Sequence, residues 1–127
     1  MRSVCRGLVA LCAALLIPLA SAADRIRILV QSSPLAGSQY YALAKVAPQL
    51  KVGDELVLRR ESDNRHDINA VMVLWHDQQL GYLPRKENQA VASAMDRGES
   101  LRATVSRINA ETSNPWQRLE VAVHVEF

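Results

Sequence analysis

The last ten residues of the chain alternate between apolar and polar or small side chains. The apolar positions are Leu119, Val121, Val123, Val125 and Phe127. A period of two is typical of a β-strand with one buried face. We therefore predict a strand over 118–127 whose five apolar side chains face the core.

Five further segments carry the alternating or short continuous apolar pattern of strands. They are residues 26–30, 56–60, 70–75, 80–83 and 101–108. Residues 32–37 are predicted to break the first strand. Asp77-Gln78-Gln79 is predicted to turn the chain into the fourth, which Pro84 ends. The chain thus contains about six short strands.

One segment, Lys86 to Arg97, has a helical period instead. Its apolar stripe consists of Ala90, Val91, Ala94 and Met95, and Gly98 is placed to end the helix. Residues 40–52 are predicted to form a loop with one helical turn, because Pro48 and the turn at 52–54 interrupt them. Six strands and one helix predict a mainly β fold, a small barrel or strongly bent sheet with the helix closing one end.

The first 22 residues resemble an export signal. Arg2 and Arg6 precede an apolar run over 8–20, and Ala20-Ser21-Ala22 matches a signal-peptidase site. A spanning helix needs about 20 apolar residues, so this shorter run favours cleavage over anchoring. We expect a signal at 1–22, a single domain at 23–127, no stable membrane insertion after cleavage, and a periplasmic or secreted location.

Cleavage would change the chemistry of the chain. Cys5 and Cys12 would leave, so the mature chain would have neither a disulfide nor a thiolate ligand. The full chain has 15 basic and 13 acidic residues and a formal net charge of +2. The loss of Arg2 and Arg6 would leave 13 basic residues, so the net charge would fall to zero. Proteins that coat nucleic acid are usually strongly basic. Any nucleic-acid site here must therefore be local.

Catalytic constellations are absent from the sequence. The three histidines, His66, His76 and His124, form no close pair, and the serines lie in no nucleophile elbow. A phosphate-binding loop is also missing. We predict a protein that is not an enzyme and has no metal site and no cofactor.

The stretch "LRRESDNRHDINAV", residues 58–71, places many polar groups between two strands. Glu61 and Asn69 each lie beside a strand end, where backbone donors need partners, so both are interpreted as turn-stabilising. A turn needs only one or two such groups. The additional residues, Arg60, Asn64, His66 and Asp67, are candidates for ligand binding.

The sequence "LRRESDNRHDINAVMV", followed by "LGYLPRKENQAVASAMDRG", resembles the HIRAN domain. This small module occurs in helicase-like DNA-repair remodellers and as a stand-alone bacterial protein. The stand-alone type is more similar, because "GSQYY" at 37–41 and "PW" at 115–116 also match it. The resemblance covers about residues 26–127. It implies an OB/SH3-like barrel and recognition of DNA, in the remodellers a single strand with a free 3′ end.

Carried over by position, the resemblance implies a role for particular residues. Tyr40 would stack on a base, Asp67 would accept a hydrogen bond from the 3′ hydroxyl, and Asn64 would bond the sugar or a base edge. Arg85 or Lys86 would meet a phosphate. The implied site also includes Arg60, His66 and Tyr82. Two positions depart from the remodeller pattern, with Gln39 in place of an arginine and His66 in place of a tyrosine.

The alternative function is that of an envelope protein that uses the barrel to bind a peptide, a glycan or a protein partner. Zero net charge, the signal and the two tryptophans support it. Trp75 and Trp116 are themselves expected to pack in the core or at a barrel end. Tyr40 and Tyr41 are adjacent in an extended segment, so one of them should be exposed. Basic side chains gathered around Tyr40 would favour DNA, whereas pairing with acids would favour the envelope partner.

The export signal leads to a direct prediction. Mature protein should begin at Ala23, because the small residues Ala20 and Ala22 both precede the cleaved bond, in the small-x-small pattern that signal peptidase accepts. N-terminal sequencing or the intact mass of protein recovered from the cell envelope measures this. A membrane-bound product that retains residues 1–22 would contradict the prediction.

Overall fold

The computed structural model describes residues 24–109 and 111–127. The predicted signal at 1–22, with Cys5 and Cys12, lies outside the described residues. The structure contains six strands, β1 (Arg27–Pro34), β2 (Glu55–Glu61), β3 (Ala70–Trp75), β4 (Gln78–Tyr82), β5 (Leu101–Ile108) and β6 (Leu119–Glu126). Its helices are α1 (Leu43–Val46), α2 (Gln89–Asp96) and α3 (Pro115–Arg118), with 3-10 turns at Ser38–Tyr40 and Ala47–Gln49. The predicted mainly β fold is confirmed. Within the described ranges, no helix is long and apolar enough to cross a membrane.

The six strands form one antiparallel sheet in the order β1-β6-β5-β2-β3-β4. Register shifts interrupt the β1–β6, β3–β4 and β5–β6 pairs. Such irregularities bend strands and increase their twist, which allows a sheet to curl. The bent sheet brings β4, at one edge, back towards the end of β1, at the other.

Backbone hydrogen bonds close the barrel between these two edges. The Ala36 amide donates to the Tyr82 carbonyl at 2.7 Å, and the Tyr82 amide donates to the Ala36 carbonyl at 2.9 Å. The Ala42 amide adds a third bond, at 2.9 Å, to the Gln79 carbonyl. The segment after β1 is therefore tied along the free edge of β4.

Gly81 makes this close approach possible. Its φ is +150°, and a Cβ atom built there would lie 2.9 Å from the Ala36 carbonyl oxygen and 3.3 Å from the Leu35 Cβ. Backbone atoms cannot move aside as a flexible side chain can. Only glycine therefore fits the seam without displacing one of its two edges.

The core lies between the curled sheet and α2, which packs against β1 and β3. Val121 and Val123 of β6 are completely buried, and β3 is buried on both faces from Ala70 to Leu74. The C-terminal prediction holds for Leu119 to Val125, but Phe127 is 70% exposed and lies beyond β6. Of the predicted helical stripe, Val91 and Ala94 are buried; Ala92, rather than Ala90, completes the buried face.

Gly98 ends α2, as the sequence predicts. It adopts φ +74° and donates to the Met95 carbonyl, while the Glu99 amide donates to Ala94. This pair of bonds is the Schellman arrangement, which satisfies the last carbonyls of a helix. The start of α2 differs from the prediction, because the segment after Pro84 forms turns and the helix begins only at Gln89.

Three local predictions were wrong. Residues 40–52 contain α1 and parts of two 3-10 turns, because Pro48 lies in the first turn of a helix, where its missing N–H is tolerated. The β3–β4 turn is formed by His76 and Asp77, both at positive φ, so Gln78 and Gln79 belong to β4. The first strand also continues through Pro34 instead of breaking at Ser32.

The seam leads to a prediction about stability. Gly81→Ala should lower the free energy of unfolding by about 3 kcal/mol or more, because it combines backbone strain with a steric clash. The matched control is Gly53→Ala, since Gly53 also has positive φ (+92°) but has no atom within 4 Å of its built Cβ. The control should lose only about 1 to 2 kcal/mol. Urea denaturation measures both, and equal losses would show that the seam tolerates a side chain.

Candidate functional site

A pocket of about 310 Å³ that combines aromatic rings with polar side chains lies beside the seam. It is bounded by the segment after β1, the connection between β2 and β3, and the end of β4. The residues that line it are Ala36, Tyr41, Asn64, His66, Asp67, Ala70, Tyr82, Leu83 and Arg85. Barrel closure therefore brings three separate parts of the sequence to one cavity.

Asn64 shapes the connection that forms one wall of the pocket. Its Oδ1 accepts hydrogen bonds from the amides of His66 at 2.9 Å and Asp67 at 3.2 Å. Its Nδ2 donates to Glu61 at 3.2 Å. This is the local side-chain capping that asparagine provides in turns. Asn64 lines the pocket, but its amide is largely engaged within the protein.

Glu61 ties this connection to β4. Its Oε1 accepts a hydrogen bond from the Tyr82 hydroxyl at 2.7 Å, and its Oε2 lies 3.4 Å from the Arg59 guanidinium. Burial alone would raise the pKa of Glu61, but hydrogen bonds from Tyr82, Asn64 and Arg59 outweigh it and hold that pKa below its ordinary value of 4.5. Burial, and then the hydrogen bond to Glu61, raises the pKa of Tyr82. Glu61 is thus an ionised acceptor for a neutral phenol.

Asp67 is held at both carboxylate oxygens. Its Oδ1 accepts from the Asn69 amide at 2.9 Å, and its Oδ2 accepts from the Asn88 side chain at 2.7 Å. Each carboxylate oxygen can accept more than one hydrogen bond, so Asp67 keeps acceptor capacity for a ligand. In the first of these bonds Asn69 contributes only its backbone amide, so the side chain that stabilises this turn is that of Asp67.

Arg60 has a different environment from the other predicted site residues. Its guanidinium forms an ion pair with Asp96 at 3.0 Å and donates to the Ala70 carbonyl at 3.1 Å. Arg60 is absent from the pocket lining and joins β2 to the end of α2. Its contacts stabilise the base of the connection.

The eight predicted site residues divide into two groups. Five line the pocket, namely Asn64, His66, Asp67, Tyr82 and Arg85. Tyr40, Arg60 and Lys86 do not, although Tyr40 is 81% exposed and Lys86 is also exposed.

Tyr41, rather than Tyr40, is the pocket aromatic of the paired tyrosines. Its ring meets that of Tyr82 edge to face, with centroids 5.9 Å apart. Alternation indicated that the two tyrosines would point to opposite sides, but it could not assign the sides. Sequence reasoning also missed Asn88, which was hidden inside the predicted helix.

Some of the basic side chains nearest the pocket form ion pairs with carboxylates, and others do not. Arg59 is paired with Glu61, and Arg60 with Asp96. Over the described ranges, Arg65, Arg85 and Lys86 have no carboxylate within 4.0 Å. Of these three, only Arg85 lines the pocket, so the positive charge available to a ligand there is small.

A second groove, of about 400 Å³, is larger, but nearly all the side chains that line it are apolar. It is lined by Leu56, Val57, Leu58, Met95, Glu99, Leu101 and Ala103. Glu99 is its one titratable side chain and is paired with Arg97. No cluster of three metal-ligating side chains occurs within residues 24–109 and 111–127. The pocket beside the seam is therefore the better candidate site.

The tryptophans differ in exposure. Trp75 is partly buried and packs against the core, as expected. Trp116 is 50% exposed, so its predicted packing was wrong. It lies in α3, whose start is capped by the bond from the Trp116 amide to the Asn114 side chain at 3.1 Å. A capped, anchored turn can hold a large ring at the surface.

The lowered pKa of Glu61 predicts a specific pH dependence. Its contribution to stability should be full above pH 4.5, its ordinary pKa, and be lost as the pH falls through the lower folded value. Parent protein should therefore exceed Glu61→Gln in unfolding free energy at pH 6, and the difference should shrink towards pH 3. Urea denaturation across this range measures it, with the exposed Glu87→Gln as control. A difference independent of pH would contradict the assignment.

Known protein structures share this architecture. A crystal structure of a protein from Lactobacillus plantarum has a TM-score of 0.68 and 28% identity, over 80% of this chain and 97% of that chain. The crystal structure of the HIRAN domain of human HLTF has a TM-score of 0.60 and 20% identity, over 79% and 78%. A search of curated proteins finds no match. The sequence model of the HIRAN domain matches residues 28–127, so this chain belongs to the HIRAN domain family.

Proposed function

We propose that this HIRAN domain binds single-stranded DNA at a free 3′ end and catalyses no reaction. Membership of the family supports a nucleic-acid-binding module. The observation that carries the finer proposal is the Asp67 carboxylate, which lines a pocket together with aromatic rings and Arg85. These groups match the three parts of a strand end, namely a hydroxyl, a base and a phosphate.

The carboxylate supplies selectivity for the terminus. An ionised carboxylate only accepts hydrogen bonds, so it suits a terminal hydroxyl, which donates one. A terminal phosphate would instead bring negative charge against Asp67. Arg85 offers a positive group for the phosphate that precedes the last nucleotide. The pocket thus favours a hydroxyl end over a phosphorylated one.

Aromatic side chains supply surfaces for the bases. Tyr41 and Tyr82 line the pocket, and Tyr40 is exposed beside it on the adjoining 3-10 turn. Helix α3, which carries the half-exposed Trp116, packs against that turn. Stacking on aromatic rings tolerates any base. A strand could therefore run from the pocket across Tyr40 towards Trp116 without sequence selectivity.

We further propose that the domain acts outside the cytoplasm, in the periplasm or after secretion. The support is the sequence pattern of residues 1–22 alone. The DNA encountered there would be extracellular or incoming rather than chromosomal. This location separates the proposed role from that of the remodellers in replication and repair.

A titration of residues 23–127 with short single-stranded oligonucleotides tests the function. The oligonucleotides differ only in a free or a phosphorylated 3′ end, and the free end should bind more tightly. The plot of log affinity against log salt should have a slope of about −1.5 to −2, because two or three basic groups reach phosphates. Failure to bind either oligonucleotide, together with capture of a defined envelope peptide or glycan, would support the alternative function.

Asp67→Ala puts the role of the carboxylate at risk. Affinity for the free 3′ end should fall about tenfold or more, since a hydrogen bond to a charged group is worth about 1.5 to 3 kcal/mol. Affinity for the phosphorylated end should change much less. Fluorescence anisotropy with both oligonucleotides measures this.

Two variants serve as controls for this measurement. Asp63→Ala removes the same charge from an exposed position of the same connection and should keep the preference for the free end. Tyr40→Ala should weaken both ends equally, because stacking does not depend on the terminus. A folded Asp67→Ala protein that binds as the parent does would refute the 3′-end assignment.

A further inference from the structure

We infer that Asn88 is a positioning residue that fixes the Asp67 carboxylate and thereby sets the preference of the pocket for a hydroxyl end. This inference rests on the proposed function. Asn88 does not itself line the pocket. It acts through the 2.7 Å hydrogen bond from its Nδ2 to the Asp67 Oδ2.

The environment of Asn88 is unusual for an amide. The residue immediately precedes α2 and is completely buried. Its Nδ2 bonds Asp67, but its Oδ1 is buried with no hydrogen-bond partner in the described part of the chain. Buried side-chain oxygens are nearly always paired. The bond to Asp67 is therefore the one polar contact that the Asn88 side chain makes within the described residues.

The orientation of the amide follows from the charge of Asp67. A flipped amide would point the Asn88 oxygen at a carboxylate oxygen, which repels it and offers no proton. The donating orientation is therefore the one compatible with ionised Asp67. It leaves the Asn88 oxygen unpaired as its consequence.

The Asn88 side chain contributes a hydrogen bond to Asp67 and carries the cost of an unpaired oxygen. An apolar side chain at a buried position would avoid the unpaired oxygen, whose desolvation destabilises the fold. What it could not do is donate to Asp67. The benefit of Asn88 is thus the order that it gives the carboxylate.

That order matters because the Asn69 amide holds only one of the two carboxylate oxygens. Without Asn88, the carboxylate would keep one local bond within its own turn and could rotate about it. The second bond links the turn to α2, which packs into the core through Val91, Ala92 and Ala94. Asn88 therefore joins the carboxylate to a helix whose buried face packs into the core.

Three variants of residues 23–127 test the inference. Asn88→Ala removes the donor. Asn88→Asp replaces it with a carboxyl group, which can donate only when protonated. Ala92→Gly is the control, because it weakens α2 at a buried position without touching Asp67. All three are compared with the parent by urea denaturation, and by titration with oligonucleotides bearing a free or a phosphorylated 3′ end.

Asn88→Ala should lower the preference for the free end about fivefold, with little change in binding of the phosphorylated end. Ala92→Gly should keep the preference of the parent protein for the free 3′ end, however much stability it loses. For Asn88→Asp, affinity for the free end relative to the parent should rise as the pH falls from 8 to 5. Two adjacent carboxyl groups share a proton more readily in that range, and the protonated group then donates to the other.

A protein-only measurement separates this inference from the proposed function. Hydrogen exchange of the Asn69 amide, which bonds Asp67, should be faster in Asn88→Ala than in Ala92→Gly without any DNA. If the parent does not distinguish the two ends, the proposed function fails, whatever the exchange shows. If the parent does and Asn88→Ala keeps the full preference, the positioning role is overturned. Should Asn88→Ala not fold, a pH-independent ratio for Asn88→Asp overturns it equally.

Discussion

Barrel closure depends on the contact between Gly81 and the backbone at Ala36. Two hydrogen bonds join Tyr82 to Ala36, and they form only because residue 81 has no side chain to hold the edges apart. The same contact creates the pocket. It sets Ala36 and Tyr41, which follow β1, against Tyr82 at the end of β4. The seam that closes the fold and the cavity that we assign to ligand binding are therefore one feature of the backbone.

The connection between β2 and β3 is rigid because its polar groups bond one another. Asn64 accepts hydrogen bonds from two backbone amides, and Glu61 accepts hydrogen bonds from the side chains of Asn64 and Tyr82. Asp67 is bonded from within the turn and from Asn88. A ligand therefore meets acceptors whose conformational entropy is already lost, which lowers the entropic cost of binding. The density of polar residues at 58–71 is explained by this internal network as much as by contact with a ligand.

Sequence patterns could predict what depends on local periodicity. Strands β3, β5 and most of β6 follow from alternating or continuous apolar residues, and Gly98 marks the end of α2. The pattern could not predict that Phe127 lies past the last strand pairing, or that Pro48 starts a short helix instead of ending one. The polar residues of the site were visible, and Asn64, His66 and Asp67 do share a pocket. Tyr41 and Asn88 could not be assigned, because their positions depend on contacts between segments distant in sequence.

The distribution of charge explains how a domain that would have no net charge after the predicted cleavage can bind the proposed anionic ligand. Arginines on the outer part of the sheet are paired with acids: Glu126 lies within 3.9 Å of Arg25, Arg27 and Arg102, Glu55 also pairs with Arg102, and Glu120 pairs with Arg107. The local positive charge is then set by Arg65, Arg85 and Lys86, which flank the pocket walls in sequence. Three cations cannot hold a long strand by counterion release. Under the proposed function, the binding energy would come instead from stacking and from the terminal group, so affinity should be concentrated in the last few nucleotides.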